Sequence, residues 1–361
     1  MKFVLLVDSL GFGGAQRQIV NLAVELKKQG EDVTFICYRK DDFYRPLLEK
    51  NNIEPILVSK KGGISRALGI RKIIRSLCPD VVVSFMGPPN LYASLASIGK
   101  HSWRLVISER IAIEDVFCGF KARLLKHIQG HYADEIVCNS ECAKELWIKH
   151  FPKYKNKVKT IYNIIDVPDI ETSVSDDGKC RILVAARYER EKNVIGMIKA
   201  VSKLSEQEKK LLEIHWYGKA NVAINGVSEY DRGQDLIKEL GLEACIFLHP
   251  ATNEIYPLIA RTDIIGLFSF SEGFPNAIIE GMSYKKPVIM TKVSDYSVLV
   301  DDSNGFLCNP EDEDDITSAI RAVLETTAEQ RSLMGQNSYE KIQKLCTSRV
   351  VMEKWNQIFK A

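Results

Sequence analysis

No stretch of this 361-residue chain is apolar for long enough to cross a bilayer. The longest apolar runs, such as Phe3–Val7, have the length of a strand, against the roughly 18 residues that a spanning helix needs. Asp8 closes that first run and no cleavage region follows, so the start reads as a core strand and not as a secretion signal. The nine cysteines are scattered and odd in number, and none forms a Cys-x-x-Cys pair. That argues against a disulfide framework and against a cysteine-based metal site. It fits reduced core thiols in a cytoplasmic protein. Short-period repeats and low-complexity tracts are absent. So is Gly-x-Gly-x-x-Gly: the loop after the first apolar run reads Gly11-Phe12-Gly13-Gly14, and the second run ends Cys37-Tyr38-Arg39-Lys40 without an acid. A nicotinamide site needs both.

What the chain does have is material for two domains. Its hydrophobic content of 45% is ordinary for a globular protein, and its length suits two cores. Apolar, β-rich runs at Lys2–Val7, Asp32–Tyr38, Val81–Phe85, Leu105–Ser108 and Glu135–Cys138 alternate with amphipathic stretches such as Ala15–Gln29. After a polar segment come Arg181–Ala185, Glu213–Tyr217, Ile246–Leu248, Ile264–Phe268 and Pro287–Met290. This alternation predicts two doubly wound α/β domains with parallel sheets, 1–165 and 180–345. The segment 166–179, with Pro168 and a Ser-Asp-Asp-Gly run, is the linker. Residues 346–361 form a last helix able to cross back to the first domain. Such sheets bind ligands at the carboxyl ends of their strands.

The net charge of +2 conceals an asymmetry. Residues 1–165 carry 26 Lys and Arg against 16 Asp and Glu; the remainder carries 23 against 31. Three basic clusters mix with apolar residues: Lys60–Leu77, Phe117–Lys126 and Lys144–Lys159, the last with Trp147 and Phe151. Each suits a solvated helix face. Three on one domain suit an anionic membrane surface, at about 1 kcal/mol per basic residue near the leaflet. No helix-turn-helix, zinc finger or RNP-like pattern points to nucleic acid.

The most informative stretch is Glu272-Gly273-Phe274-Pro275-Asn276-Ala277-Ile278-Ile279-Glu280. Two carboxylates stand eight positions apart, around a turn that opens a helix at about Asn276. A turn entering a helix presents free backbone N–H groups, which suit anionic or hydroxylated ligands. Carboxylates accept from sugar hydroxyls, so a sugar nucleotide fits the pair. A solvated helix start with acids favoured by the dipole fits it too. Arg187 and Lys192 follow the first strand of the second domain, where a fork and a point charge suit phosphate, or form a charged surface turn with Glu189, Arg190 and Glu191.

The Glu272–Glu280 segment resembles the donor-site signature of retaining glycosyltransferases of family 4. Other elements extend the resemblance along the whole chain in the family's order: Gly13-Gly14-Ala15-Gln16-Arg17, Asn139-Ser140, Tyr162-Asn163-Ile164-Ile165-Asp166, Arg187 to Asn193, and Asn304-Gly305-Phe306-Leu307. It implies the GT-B fold, two Rossmann-like domains whose parallel sheets face across a cleft, acceptor-binding first and donor-binding second. It implies that Arg187 and Lys192 bind the diphosphate and that Glu272 lies near the transferred sugar. Glu280 would accept from the ribose, with the backbone of Gly273, Phe274, Pro275, Asn276 and Ala277 near sugar and phosphate. Gly13 and Gly14 would border acceptor and donor phosphate, and Thr252 and Asn253 the nucleobase. On the acceptor side it points to Glu109, Arg110 and Asn90; Arg110 stands where many members have a histidine that touches the donor sugar. No Asp-x-Asp occupies a donor position, since Asp312-Glu313-Asp314 starts a late helix, so no metal and no cofactor are expected.

The activity so implied is transfer of a hexose or N-acetylhexosamine from a UDP-sugar to a polyprenyl-diphosphate-linked glycan. The setting is bacterial polysaccharide, O-antigen or protein-glycan assembly, at the cytoplasmic face of the membrane with peripheral attachment. A sugar-nucleotide epimerase or phosphorylase of the same architecture is a rival, and so is a non-catalytic sugar-nucleotide module. The four intact donor-site side chains favour transfer.

Overall fold

The computed structural model describes residues 1–173, 177–220 and 226–360. The backbone divides into two compact units, Met1–Asp166 with Cys346–Ala361, and Val167–Leu345. Part of the expected linker, 174–176, lies outside the described residues.

The first unit holds seven strands: β1 (Lys2–Leu6), β2 (Asp32–Cys37), β3 (Pro55–Leu57), β4 (Val81–Phe85), β5 (Arg104–Glu109), β6 (Glu135–Cys138) and β7 (Val158–Thr160). All pair in parallel, in the order β3-β2-β1-β4-β5-β6-β7. The second unit holds β8 (Cys180–Ala185), β9 (Leu212–Gly218), β10 (Ile246–Pro250), β11 (Ile264–Leu267), β12 (Val288–Thr291) and β13 (Gly305–Cys308), parallel in the order β10-β9-β8-β11-β12-β13. Continuous apolar runs such as Val81–Val83 are buried on both faces, as helix-covered parallel sheets require. Strand order reverses between β1 and β4, and again between β8 and β11. Open α/β sheets bind their ligands at such switch points.

Three strands, β3, β7 and β13, were not expected from the sequence. Each has only three or four residues and forms a sheet edge. A short, half-solvated edge has too few apolar positions to show a period of two. The final helix, Ser348–Lys360, adds Val351, Met352, Trp355 and Phe359 to the core under β1; the Phe359 ring meets Phe3 edge-on at 4.9 Å.

The basic clusters are less uniform than expected. In the helix Gly63–Leu77, Arg71 donates to the carbonyls of Leu95, Ala96 and Ile98, and Arg75 to those of Ile98 and Lys100. Both guanidinium groups therefore cap the end of the helix Gly87–Ala96. Lys126 is buried against the carboxylate of Glu109, and Trp147 and Phe151 belong to the core. In the third cluster Lys149, Lys153, Lys155 and Lys159 stay on the surface, and in the first two Lys60, Lys61, Lys72, Lys121 and Arg123 do. They accompany Ile64 (81% exposed), Leu68, Phe120 (86%) and Leu124.

Candidate active site

At the switch point of the second unit, β8 ends in Ala185 and the chain turns through Arg187, Tyr188 and a 3-10 turn, Arg190–Lys192. Asn193 stops that turn in the left-handed region, φ 61°, and caps the helix Val194–Ser202 by accepting from the N–H of Gly196. Its amide also donates to the Pro310 carbonyl at 2.9 Å, which fixes the loop. Tyr188 is buried, its hydroxyl 2.8 Å from the Trp216 carbonyl and 2.7 Å from that of His249. Burial drives its pKa well above the ordinary phenol range, so it remains a neutral donor. Gly218 lets β9 approach this loop: a Cβ there would lie 1.9 Å from the Ala186 carbonyl oxygen.

Beside it, β11 delivers Ser269 and Glu272. The Glu272 Oε1 atom accepts from Lys192 Nζ at 2.6 Å and from Ser269 Oγ at 2.7 Å. The Lys192 and Glu272 side chains are only 17% and 13% exposed. Arg187 is 53% exposed and pairs with Glu189 at 2.8 Å. Lys192 and Glu272 thus meet at the carboxyl ends of β8 and β11, with Arg187 in the loop that follows β8.

The helix Asn276–Ser283 starts here as expected, with Pro275 as its cap residue and no side-chain cap. Its first-turn backbone donors are therefore suited to a ligand. Phe274 is buried beneath the turn, and Ser294 donates to the Gly273 carbonyl. Glu280 is buried within the helix. On the far side of β8, a cavity of about 340 Å³ is lined by Gly218, Lys219, Ala220, Tyr230, Pro250 and Ala251. Thr252 and Asn253 follow in the same loop, where Thr252 Oγ1 accepts from the Glu254 N–H at 3.0 Å.

In the first unit, Gly13 and Gly14 lead from β1 into the helix Gly14–Lys28. The backbone at Gly13 is extended, so the absence of a side chain matters for space: a Cβ would lie 2.2 Å from Gln16 Oε1. Gln16 donates to Asp8 Oδ1 at 3.0 Å. Glu109, Arg110 and Asn90, expected on the acceptor side, lie in an enclosed network and not on an open surface. Asn90 is fully buried, its amide spent between Ser84 Oγ at 2.8 Å and the Ser108 carbonyl at 2.9 Å. It braces β4 against β5 and cannot line a ligand surface. Glu109 ends β5 in an ion pair with Lys126, because a buried carboxylate needs a partner. Desolvation lowers the Lys126 ammonium to about 8 and the Arg110 guanidinium to about 9. Arg110 donates to Asn163 and lies 4.5 Å above the Phe85 ring.

The sequence reading missed Ser269, Tyr188, Ser294, Lys126 and Asn163. Tyr188 and Asn163 lay inside stretches that carried the resemblance, and Ser269 stands at the end of an apolar run three residues before Glu272, but none was singled out.

The family model for glycosyltransferase family 4 matches residues 12–168, and that for glycosyl transferases group 1 matches residues 168–341. A Campylobacter jejuni protein is 26% identical over 341 residues, covering 90% of each chain. Its name is N-acetylgalactosamine-N,N'-diacetylbacillosaminyl-diphospho-undecaprenol 4-alpha-N-acetylgalactosaminyltransferase. A second from that organism, a GalNAc-alpha-(1->4)-GalNAc-alpha-(1->3)-diNAcBac-PP-undecaprenol alpha-1,4-N-acetyl-D-galactosaminyltransferase, is 24% identical over 337 residues, 90% of this chain and 89% of its own. The crystal structure of Anabaena HepE in complex with UDP and glucose superposes with a TM-score of 0.84 at 18% identity, over 100% of this chain and 99% of that one. With two family models in tandem and the matching architecture, the chain belongs to the family 4 glycosyltransferases and has the GT-B fold.

Proposed function

We propose that this protein moves a hexose or N-acetylhexosamine from a UDP-sugar to a polyprenyl-diphosphate-linked glycan, with retention at the anomeric carbon. The observation that carries the reading is the Lys192–Glu272 pair at the β8/β11 switch point, with Arg187 in the same loop and a helix start without a side-chain cap nearby. Arg187 forks onto the diphosphate, exchanging its exposed contact with Glu189 for a stronger one. Lys192 holds a second phosphate oxygen while Glu272 orients it and accepts from a sugar hydroxyl. The helix start adds backbone donors, and Glu280 takes the ribose hydroxyls. Two cations on the leaving group supply the charge stabilisation that a metal would otherwise give.

Transfer then needs three coupled changes. The bond from the anomeric carbon to the diphosphate oxygen breaks, and the acceptor oxygen bonds that carbon on the same face. The acceptor proton passes to the departing phosphate, so no protein nucleophile is required. The Campylobacter relatives act, by name, on undecaprenol-linked saccharides, and HepE was solved with UDP. Both support the donor and acceptor assigned here. In the first unit, Glu109 and Arg110 act on the acceptor side by holding the β5 end in place. The exposed Lys60, Lys61, Ile64, Leu68 and Phe120 attach the protein peripherally to an anionic leaflet, at the cytoplasmic face.

The test is to offer UDP- and GDP-sugars with lipid-diphosphate oligosaccharides and weigh the products by mass spectrometry. A product heavier by one hexose or N-acetylhexosamine, formed from a UDP donor and dependent on the acceptor, is expected. Donor turnover without acceptor would favour an epimerase instead.

A further inference from the structure

Glu114 and Cys118 stand four residues apart and His150 lies 32 residues further on, and the fold of the first unit gathers all three. Glu114 opens a 3-10 turn, Glu114–Phe117, in the loop that follows β5, and Cys118 ends that turn. His150 closes the helix Glu141–His150. A carboxylate oxygen, the cysteine sulfur and an imidazole nitrogen all lie within 4.8 Å of one another. His150 Nε2 lies 2.7 Å from Glu114 Oε1, and the His150 ring stacks on Phe117 with centroids 5.5 Å apart. That stacking aims one ring nitrogen at the cluster. Cys118 is exposed, so the thiol can be reached.

We propose that Glu114, Cys118 and His150 bind a zinc ion that clips the loop after β5 to the end of the helix Glu141–His150. One thiolate, one imidazole and one carboxylate form a borderline-soft donor set of the kind zinc takes, with water in the fourth place. Bonds of about 2.0–2.3 Å in a tetrahedron put ligand atoms roughly 3.5 Å apart. Glu114 and His150 need to open by about 1 Å, and Cys118 to close by at most slightly more than that, to reach that spacing. On binding, the Cys118 thiol gives its proton to solvent and His150 binds as the neutral ring. The thiolate and carboxylate then balance the ion's two charges. Lys149 Nζ, now 2.9 Å from Glu114 Oε1 and 65% exposed, returns to solvent at little cost. Phe117 lies between Glu114 and Cys118 and packs on Trp147 and beneath the Lys126 ammonium. The clip therefore holds the loop that closes over the Glu109–Lys126 pair.

The experiment uses the full-length protein after chelator treatment. It is titrated with zinc chloride in a calorimeter and with cobalt chloride in a spectrophotometer, and alkylation of Cys118 is followed by mass spectrometry with exposed Cys78 as internal reference. The expected results are one zinc per chain, a thiolate-to-cobalt charge-transfer band, and Cys118 alkylation slowed at least about tenfold by zinc while Cys78 is unaffected. Cys118→Ser abolishes the cobalt band, and His150→Ala weakens zinc by about tenfold or more. His131→Ala, at an exposed histidine elsewhere, leaves binding unchanged. Absence of the charge-transfer band in the wild-type protein, or zinc affinity undiminished in Cys118→Ser, overturns the proposal.

Discussion

Lys192 and Glu272 meet at 2.6 Å across 80 residues of sequence, and the magnitudes separate their role from that of Arg187. The Arg187–Glu189 pair is half exposed and contributes at most about 1 kcal/mol, so a diphosphate displaces Glu189 easily. The Lys192–Glu272 pair is largely enclosed, and removing one partner leaves the other without its ion-pair contact. Arg187→Ala is expected to lower turnover by about 10²-fold or more while donor affinity falls moderately. Lys192→Ala should lose at least as much and also disturb Glu272. Steady-state kinetics on variants with native circular dichroism checks this, and near-wild-type rates in both would remove the two cations from the mechanism. If these cations serve the leaving group as proposed, adding magnesium or manganese to chelator-treated enzyme should not raise its rate. A metal-dependent recovery would place an ion at the diphosphate. The proposed site residues could be picked out because each occupies a loop after an apolar strand, in an order shared with a known family. Their partners could not be. Ser294 and Tyr188 bond to carbonyls whose positions only the folded backbone fixes.

Among the elements, the central strands were legible and the edges were not. Runs buried on both faces, such as Val81–Phe85, announce themselves by composition, whereas Pro55–Leu57 and Val158–Thr160 offer three residues each. Side-chain roles on the helices were also hidden. Arg71 and Arg75 look like surface charge in sequence, and only the neighbouring helix end shows that they cap carbonyls. Where β9 pairs with β10, His215 and His249 stack with centroids 5.4 Å apart, Nδ1 of one 3.1 Å from Nε2 of the other. Burial holds both below the ordinary histidine range, and for His249 the neighbouring His215 adds to it. A folded-state pKa below the unfolded value of about 6.5 means the unfolded chain takes up protons first. Their contribution to stability is therefore complete above about pH 6.5 and is lost as pH falls through the lowered values. The thermal midpoint should drop as pH falls below about 6.5, and His215→Gln should flatten that slope. An equal slope in the variant would assign the acid sensitivity elsewhere.

At the scale of the whole molecule, the charge asymmetry survives but its membrane-facing part is smaller than the sequence suggested. With Arg71, Arg75 and Lys126 serving the fold, the proposed attachment would rest on exposed basic residues such as Lys60, Lys61, Lys72, Lys121 and Arg123 with their exposed apolar neighbours. No helix among the described residues is long and apolar enough to cross a membrane. Binding to anionic vesicles should therefore be peripheral. It should weaken as salt rises, since screening shortens the Debye length to about 3 Å at 1 M. Replacing Lys60, Lys61 and Lys72 with Gln should reduce co-sedimentation at low salt and leave UDP affinity unchanged. Arg71 is left intact so that folding is not confounded. No sedimentation of the wild-type protein at low salt would point to an acceptor in solution.

The central claim is retaining transfer from a nucleotide sugar at the Arg187–Lys192–Glu272 site. Its most direct test is the anomeric configuration of the new linkage, read by NMR on product made from an α-linked UDP-sugar and a lipid-diphosphate oligosaccharide. The account predicts an α-linkage and stoichiometric UDP. A β-linked product, or release of free sugar with no new glycosidic bond, would contradict it.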